Sequence, residues 1–211
     1  IARHETLLKL PDGSLGAVPG EWAAGLESLA SLGTRSKGAI RYRKSQGFLL
    51  DAMLRNHEPR VDASFTAMRN RMHDVTPVAK EETKGFKGTL RTYQREGLGW
   101  LGALRELYVG GCLADDMGLG KTVQVLALLE SLRIKGGGPS LVVAPKSLLY
   151  NWLAEAARFA PKLRGLQHHG GDRTRGTDHF ADYDVVLTTY ATMRLDIEYL
   201  AATEFEYAIL D

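Results

Sequence analysis

Apolar positions change their period near residue 88. Before it, two short apolar runs in Thr6–Pro19 flank Asp12-Gly13, a pair able to take positive φ at both turn centres, so the spacing predicts a hairpin. Glu21–Leu32 has helical spacing, with Trp22, Leu26 and Leu29 on one face and Gly33 as its stop. Ser45 is placed to cap a second helix with Phe48, Leu49, Ala52 and Met53 inward. Asp62 is placed to cap a third, with Phe65, Met68 and Met72 on one face. Residues 77–88, PVAKEETKGFKG, are polar and broken by Pro and Gly, and read as a linker.

After the linker, Thr92–Tyr108 predicts an amphipathic helix with Tyr93, Gly97, Trp100, Leu101, Leu104 and Tyr108 on one face. Short apolar strands then alternate with helices. Strands are expected at Gly111–Ala114, Leu141–Ala144, Val185–Thr188 and Ala208–Leu210, and a weaker one near Leu166–His168. Helices are expected at Lys121–Ile134, Ser147–Phe159 and, in shorter pieces, near Thr192–Leu200. Fully apolar strands separated by helices imply an α/β fold, a parallel sheet covered on both faces. The expected organisation is an N-terminal accessory region over 1–76, mostly helical α+β, a linker over 77–88, and an α/β domain over 89–211.

Composition adds little beyond an ordinary globular chain of 211 residues. No apolar run reaches the length of a membrane span, and no signal-peptide pattern opens the sequence. Cys112 is the lone cysteine, which excludes an internal disulfide and a cysteine zinc site and fits a cytoplasmic protein. Residues 1–88 hold 14 Lys/Arg against 10 Asp/Glu, and residues 89–211 hold 13 against 15, so charge alone does not point to nucleic acid. The start at Ile1 rather than Met suggests a fragment.

Chemistry enters at Leu113–Thr122, LADDMGLGKT, where an apolar strand runs into a glycine-rich turn and then a helix. Gly118 and Gly120 let backbone N–H groups approach phosphate oxygens, and the helix N-terminus aims at the same oxygens. Asp116, Met117 and Leu119 complete the turn. Lys121 can reach the β- and γ-phosphates of a nucleotide, and the Thr122 hydroxyl can ligate Mg²⁺. The full phosphate-loop pattern has Gly where this chain has Asp115. Upstream, the Gln94 amide offers one donor and one acceptor, which suits the adenine edge.

LRTYQREGLGWL, GCLADDMGLGKTVQVLALL, VVAPKSLLYNWLAEAARF, DVVLTTYATMR and YAILD resemble, in order, the motifs of Swi/Snf-type ATPases of helicase superfamily two. The resemblance covers residues 90–211, and more loosely residues 1–88 resemble the region before the motor in bacterial members. It implies a partial P-loop RecA-like lobe, ATP and Mg²⁺ as cofactors, and an acid at position 115. It further implies that Gln94 reads adenine and that Gly118, Gly120, Lys121 and Thr122 hold phosphate and metal. Asp211 would be the first acid of the metal-binding box, with Lys121 and Asp211 serving hydrolysis. Double-stranded DNA is the implied partner, contacted by Lys146, Ser147, Thr188, Thr189 and Tyr190, in a bacterial cytosol or nucleoid. Thr92 stands where the family has proline, and Asp115-Asp116 where it has Asp-Glu. A strand belonging between the phosphate-loop strand and the Asp211 strand is expected beyond residue 211, leaving the sheet incomplete and the fragment alone inactive.

The function so implied is the ATP-binding part of a DNA-dependent ATPase and translocase. A regulatory ATP-binding module and a strand-separating helicase are the alternatives. On the residues alone, Ser147 is a helix N-cap, and His168-His169-Gly170-Gly171 is a solvated loop rather than a metal site. Arg35, Lys37, Arg41, Arg43 and Lys44 around Tyr42 form a solvated face, an accessory DNA surface being the alternative.

Overall fold

The computed structural model describes residues 6–9, 14–18, 30–36, 39–43, 46–54 and 60–211. It divides into two compact units, one of Ile1–Thr76 with Leu104–Gly110, the other of Pro77–Ala103 with Gly111–Asp211.

In the first unit β1 (Thr6–Lys9) and β2 (Leu15–Val18) pair antiparallel, as the hairpin reading expects, while the Asp12-Gly13 turn lies outside the described residues. Of the helix expected over Glu21–Leu32, residues 30–32 are described and helical; Trp22, Leu26, Leu29 and the expected cap Ser45 lie outside. The basic stretch contains a second antiparallel pair, β3 (Thr34–Ser36) and β4 (Ala39–Arg41), with Arg35, Arg41 and Arg43 exposed. In α1 (Gly47–Leu54) the buried positions are Gly47 and Asp51, whereas Phe48 and Leu49 are exposed, so the inward face differs from the one expected. Asp51 is buried because Arg69 of α2 (Ala63–Asp74) pairs with it at 2.7 Å. Asp62 caps α2 as expected, accepting a hydrogen bond from the Phe65 N–H at 2.7 Å.

The second unit is a four-stranded parallel sheet in the order β6-β7-β5-β8: β6 (Gly165–Gln167), β7 (Val185–Thr188), β5 (Ser140–Val143) and β8 (Ala208–Leu210). Every residue of β5 and β7 is buried, as strands covered on both faces require. Five α-helices accompany the sheet: α3 (Thr92–Leu107, of which the part to Ala103 belongs to this unit), α4 (Lys121–Ile134), α5 (Lys146–Phe159), α6 (Tyr190–Leu195) and α7 (Ile197–Ala202). The central helix, α4, buries seven residues, including a Glu130 held by Arg133 in two 2.8 Å hydrogen bonds. Among the described residues no helix is long and apolar enough to cross a membrane.

Three expectations need correction. Gly111–Ala114 forms no strand: it has no ladder partner among the described residues, and a segment without one cannot be held as a strand. The buried face of α3 is Gln94, Leu98, Gly99 and Ala103, rotated from the face the apolar spacing picks out; Tyr108 leaves the helix with φ 57° and is 74% exposed. Helix α5 starts one residue early, with Pro145 at the cap position and no side-chain cap, so Ser147 is not the N-cap.

Residues 77–88 lie within the second unit as an ordered strap. Lys80 N–H donates to the Arg95 carbonyl, Glu82 takes both arms of the Arg95 guanidinium, and Lys87 N–H donates to the Phe159 carbonyl. Phe86, 6% exposed, stacks on Phe159 with ring centroids 5.9 Å apart.

His168 is also not solvated. It is 3% exposed, and its ring Nε2 lies 2.9 Å from Asp196, which also takes Arg173 at 2.7 Å through both carboxylate oxygens. The His168 carbonyl accepts the Thr188 hydroxyl at 2.7 Å. One buried cluster thus supports both the end of β7 and the junction of α6 with α7. The Arg173 guanidinium, aided by His168 and opposed by burial, holds the Asp196 carboxyl at about 2, against an ordinary 3.8.

Two outcomes are expected. A carboxylate held low contributes stability that is complete above the unfolded value and is lost as pH falls through the folded one. The melting temperature of wild-type protein should therefore fall between pH 3.8 and about 2 more steeply than that of Asp196→Asn, the two curves converging at the acid end. Phe86→Ala should cost about 3–5 kcal/mol in urea unfolding, the range for a buried aromatic, which a loose linker residue would not.

Candidate nucleotide-binding site

The candidate phosphate loop is entered from a segment with no strand partner among the described residues. Residues 111–116 lie outside the sheet, and Asp116, Met117, Gly118 and Leu119 are exposed, Met117 at 95%. Gly118 and Gly120 have φ of 82° and 76°, left-handed values that admit a side chain only with strain. Gly120 occupies the cap position of α4, and no side chain caps that helix. Its first N–H groups are left for an anion, and the helix dipole favours one there.

Side chains hold the loop from two directions. On its far side the Leu119 carbonyl accepts hydrogen bonds from the Tyr93 hydroxyl at 2.9 Å and the Gln94 amide at 3.1 Å. The Gln94 carbonyl oxygen accepts the Arg91 N–H at 2.9 Å. Gln94 is thus 8% exposed and fixed in place, with one N–H and one lone pair left over. On the near side, Asp115 accepts the Gln124 amide at 2.7 Å through its carboxylate. Lys121 Nζ turns back into the loop, donating to the Asp115 carbonyl at 2.7 Å and the Asp116 carbonyl at 3.2 Å. The ammonium therefore already stands over the loop. Thr122 follows, partly buried in the first turn of α4.

A second group gathers at the C-terminal ends of adjacent strands, where parallel open sheets bind ligands. Lys146 and Ser147 follow β5 and are exposed at the uncapped start of α5. Thr188 ends β7, and Thr189 and Tyr190 follow it. Thr189 caps α6, its hydroxyl oxygen accepting the Thr192 N–H at 3.1 Å, and Tyr190 is 41% exposed. Thr188, expected on the same face, is wholly buried with its hydroxyl proton given to His168, so it braces the turn from beneath.

Asp211 follows β8. Its N–H donates to the Val143 carbonyl, its carboxylate accepts the Trp152 indole N–H at 2.8 Å, and its carbonyl accepts the Tyr190 hydroxyl at 2.9 Å. No hydrogen bond or ion pair among the described residues joins Thr122 to Asp211.

Two further residues stand within the motif stretches without a role that their spelling shows. Trp152 is 4% exposed on α5, and a buried indole N–H needs an acceptor. Gln124 is fully buried on α4. One turn from Trp152, burial raises the Glu155 carboxyl, with Arg158 opposing and Asp211 adding to the rise.

The donor chemistry fits a magnesium nucleotide. Backbone N–H groups and an ammonium face one loop, and the hydroxyl of Thr122 and carboxylate of Asp211 are hard oxygen donors of the kind Mg²⁺ takes.

Comparison with known proteins gives the same direction. The SNF2-related domain matches residues 93–211. A Bacillus subtilis protein named as an ATP-dependent helicase/translocase, YwqA, is 44% identical over 146 residues, covering 66% of this chain and 15% of its own length. Human chromatin-remodeling ATPase INO80 is 37% identical over 139 residues, covering 60% of this chain and 9% of its own length. The chain therefore spans less than a fifth of these curated relatives. Among solved structures, the Sulfolobus solfataricus SWI2/SNF2 ATPase core in complex with dsDNA superposes with a TM-score of 0.55 at 39% identity, over 65% of this chain and 27% of that one. The core domain of the same ATPase gives 0.54 at 37% identity. The domain match covers more than half of the sequence and takes in the glycine-rich loop and the strand ends, and the chain belongs to the SNF2-related domain family.

Proposed function

We propose that this chain is the ATP-binding part of a DNA-dependent ATPase that translocates on duplex DNA. The observation that carries the reading is the loop at Asp116–Lys121: two left-handed glycines and an ammonium at the uncapped start of a buried helix. That arrangement suits a triphosphate, because the helix-start N–H groups are fixed before the ligand arrives and the ammonium already stands beside them, needing only to exchange its two loop carbonyls.

In this reading Lys121 exchanges its two loop carbonyls for β- and γ-phosphate oxygens, and the backbone of Asp116–Gly120 wraps the same oxygens. Gln94 presents its remaining donor and acceptor to the adenine edge while its other bonds keep it against the loop. Thr122 and Asp211 supply oxygen ligands for Mg²⁺, which when bound offsets charge on the phosphates. Trp152 and Tyr190 hold Asp211 at the strand end.

DNA is assigned on separate grounds. The Sulfolobus neighbour is titled as a complex with dsDNA. Lys146, Ser147 and Tyr190 are exposed on neighbouring strand ends, with a cation, a serine hydroxyl and the uncapped start of α5 on that face, a combination that fits phosphates rather than base edges. Thr189 is buried, its hydroxyl engaged with Thr192, and supports the turn from within. Thr188 is not part of that face.

In the intact protein, ATP hydrolysis should rise with duplex DNA, and Lys121→Ala should lower it by at least about a hundredfold, the scale for losing one preorganised donor to the transition state. Equal rates with and without duplex, measured by phosphate release, would count against the motor. Lys146→Ala should weaken duplex binding alike for all sequences. It should also lower the slope of log K against log salt by about 1 in fluorescence anisotropy.

A further inference from the structure

The loop entry raises a physical question. Residues 111–116 have no β-ladder among the described residues, yet the turn they lead into has to hold its N–H groups in one geometry. The side-chain hold on that entry is at Asp115, whose carboxylate accepts from Gln124 at 2.7 Å and whose carbonyl accepts from Lys121 at 2.7 Å.

Gln124 is an unusual residue to find at that place. It lies on α4 one turn after Lys121 and has no exposed surface. One end of its amide reaches Asp115; the other end, Oε1, is buried with no hydrogen-bond partner among the described residues. That oxygen lies against Gly97 of α3, where any Cβ would collide with it. A buried carbonyl without a partner lowers stability, and an aliphatic side chain would fill the space without that loss. What an aliphatic group could not do is donate to Asp115.

We propose that Gln124 is the positioning residue of the phosphate loop. Its amide, seated in α4 against Gly97 of α3, holds Asp115, and through Asp115 sets where the loop backbone and the Lys121 ammonium stand. The inference rests on the reading of Asp116–Thr122 as a phosphate cradle. It gives a reason for an acid at position 115, where the general phosphate-loop pattern has glycine: the carboxylate is the acceptor that the buried amide needs. With Tyr93 and Gln94 on Leu119, the loop is then fixed at both ends by side chains of α3 and α4.

The test uses the 211-residue chain, a fluorescent methylanthraniloyl ADP with Mg²⁺, and hydrogen–deuterium exchange of residues 113–119 without nucleotide. Gln124→Leu and Asp115→Ala should each weaken nucleotide binding by about tenfold and speed exchange in the loop. The double variant should be no weaker than either single one, since both remove the same contact. Asp115→Asn, which keeps an acceptor oxygen, should restore binding and slow exchange. A role in packing alone would lower the melting temperature of Gln124→Leu and leave Asp115→Ala at wild-type affinity and exchange; that result overturns the inference. Additive losses in the double variant overturn it as well. If Gln124→Leu does not fold, the Asp115→Ala and Asp115→Asn pair decides, because the Asp115 side chain is only partly buried. Absence of nucleotide binding by the wild-type chain would instead overturn the cradle reading beneath it.

Discussion

A turn that offers its backbone N–H groups to a ligand has few to spend on holding itself in place; within this loop the described backbone bond is Leu119 N–H to the Asp116 carbonyl, long at 3.4 Å. Everything else in this site follows from that constraint. The loop at Asp116–Gly120 is exposed and glycine-bearing, and its entry is not a sheet strand. Its shape is therefore set largely by side chains around it: Tyr93 and Gln94 on the Leu119 carbonyl, Gln124 on the Asp115 carboxylate, and Lys121 on two carbonyls. All four side chains come from α3 and α4. These two helices are in turn anchored by a core of Leu98, Leu126, Leu129 and the covered strand β5, and by the strap of residues 77–88. Local chemistry at the loop thus depends on packing well away from it.

The strand ends show the same division between what faces outward and what braces from below. Tyr190 and Lys146 reach solvent, while buried Thr188, His168 and Asp196 with the half-buried Arg173 form a polar cluster at the end of β7. Such a cluster is stable only when every member has a partner, which is the case for the Asp196 carboxylate with its three close donors. Asp211 ties this side to the next strand, linking β5 through Val143, α5 through Trp152 and the turn after β7 through Tyr190.

Much of this was readable in the sequence, for physical reasons that differ by element. Strands β5, β7 and β8 announce themselves as short apolar runs, and Gly-x-Gly-Lys-Thr between a run and a helix points to phosphate by its chemistry alone. The readings that failed depend on tertiary partners. Gly111–Ala114 has strand-like composition but no ladder partner. His168 looks like part of a polar loop until Asp196, 28 residues later, is brought against it. Residues 77–88 have a linker's composition, yet a single phenylalanine, Phe86, finds a stack on Phe159. Gln124 and Trp152 stand inside the motif stretches, but their roles are not legible there, because a buried polar group is recognised by the partner it meets: Asp115 in the same stretch for Gln124, and Asp211, 59 residues on, for Trp152.

The central claim is that Asp116–Thr122 is a phosphate cradle, and backbone amide chemical shifts of the isotopically labelled chain under titration with Mg²⁺-ADP test it most directly. The account predicts saturable shifts concentrated at Gly118, Gly120, Lys121 and Thr122, with smaller ones at Gln94. Shifts that are absent there, or centred on another part of the fold, would contradict it.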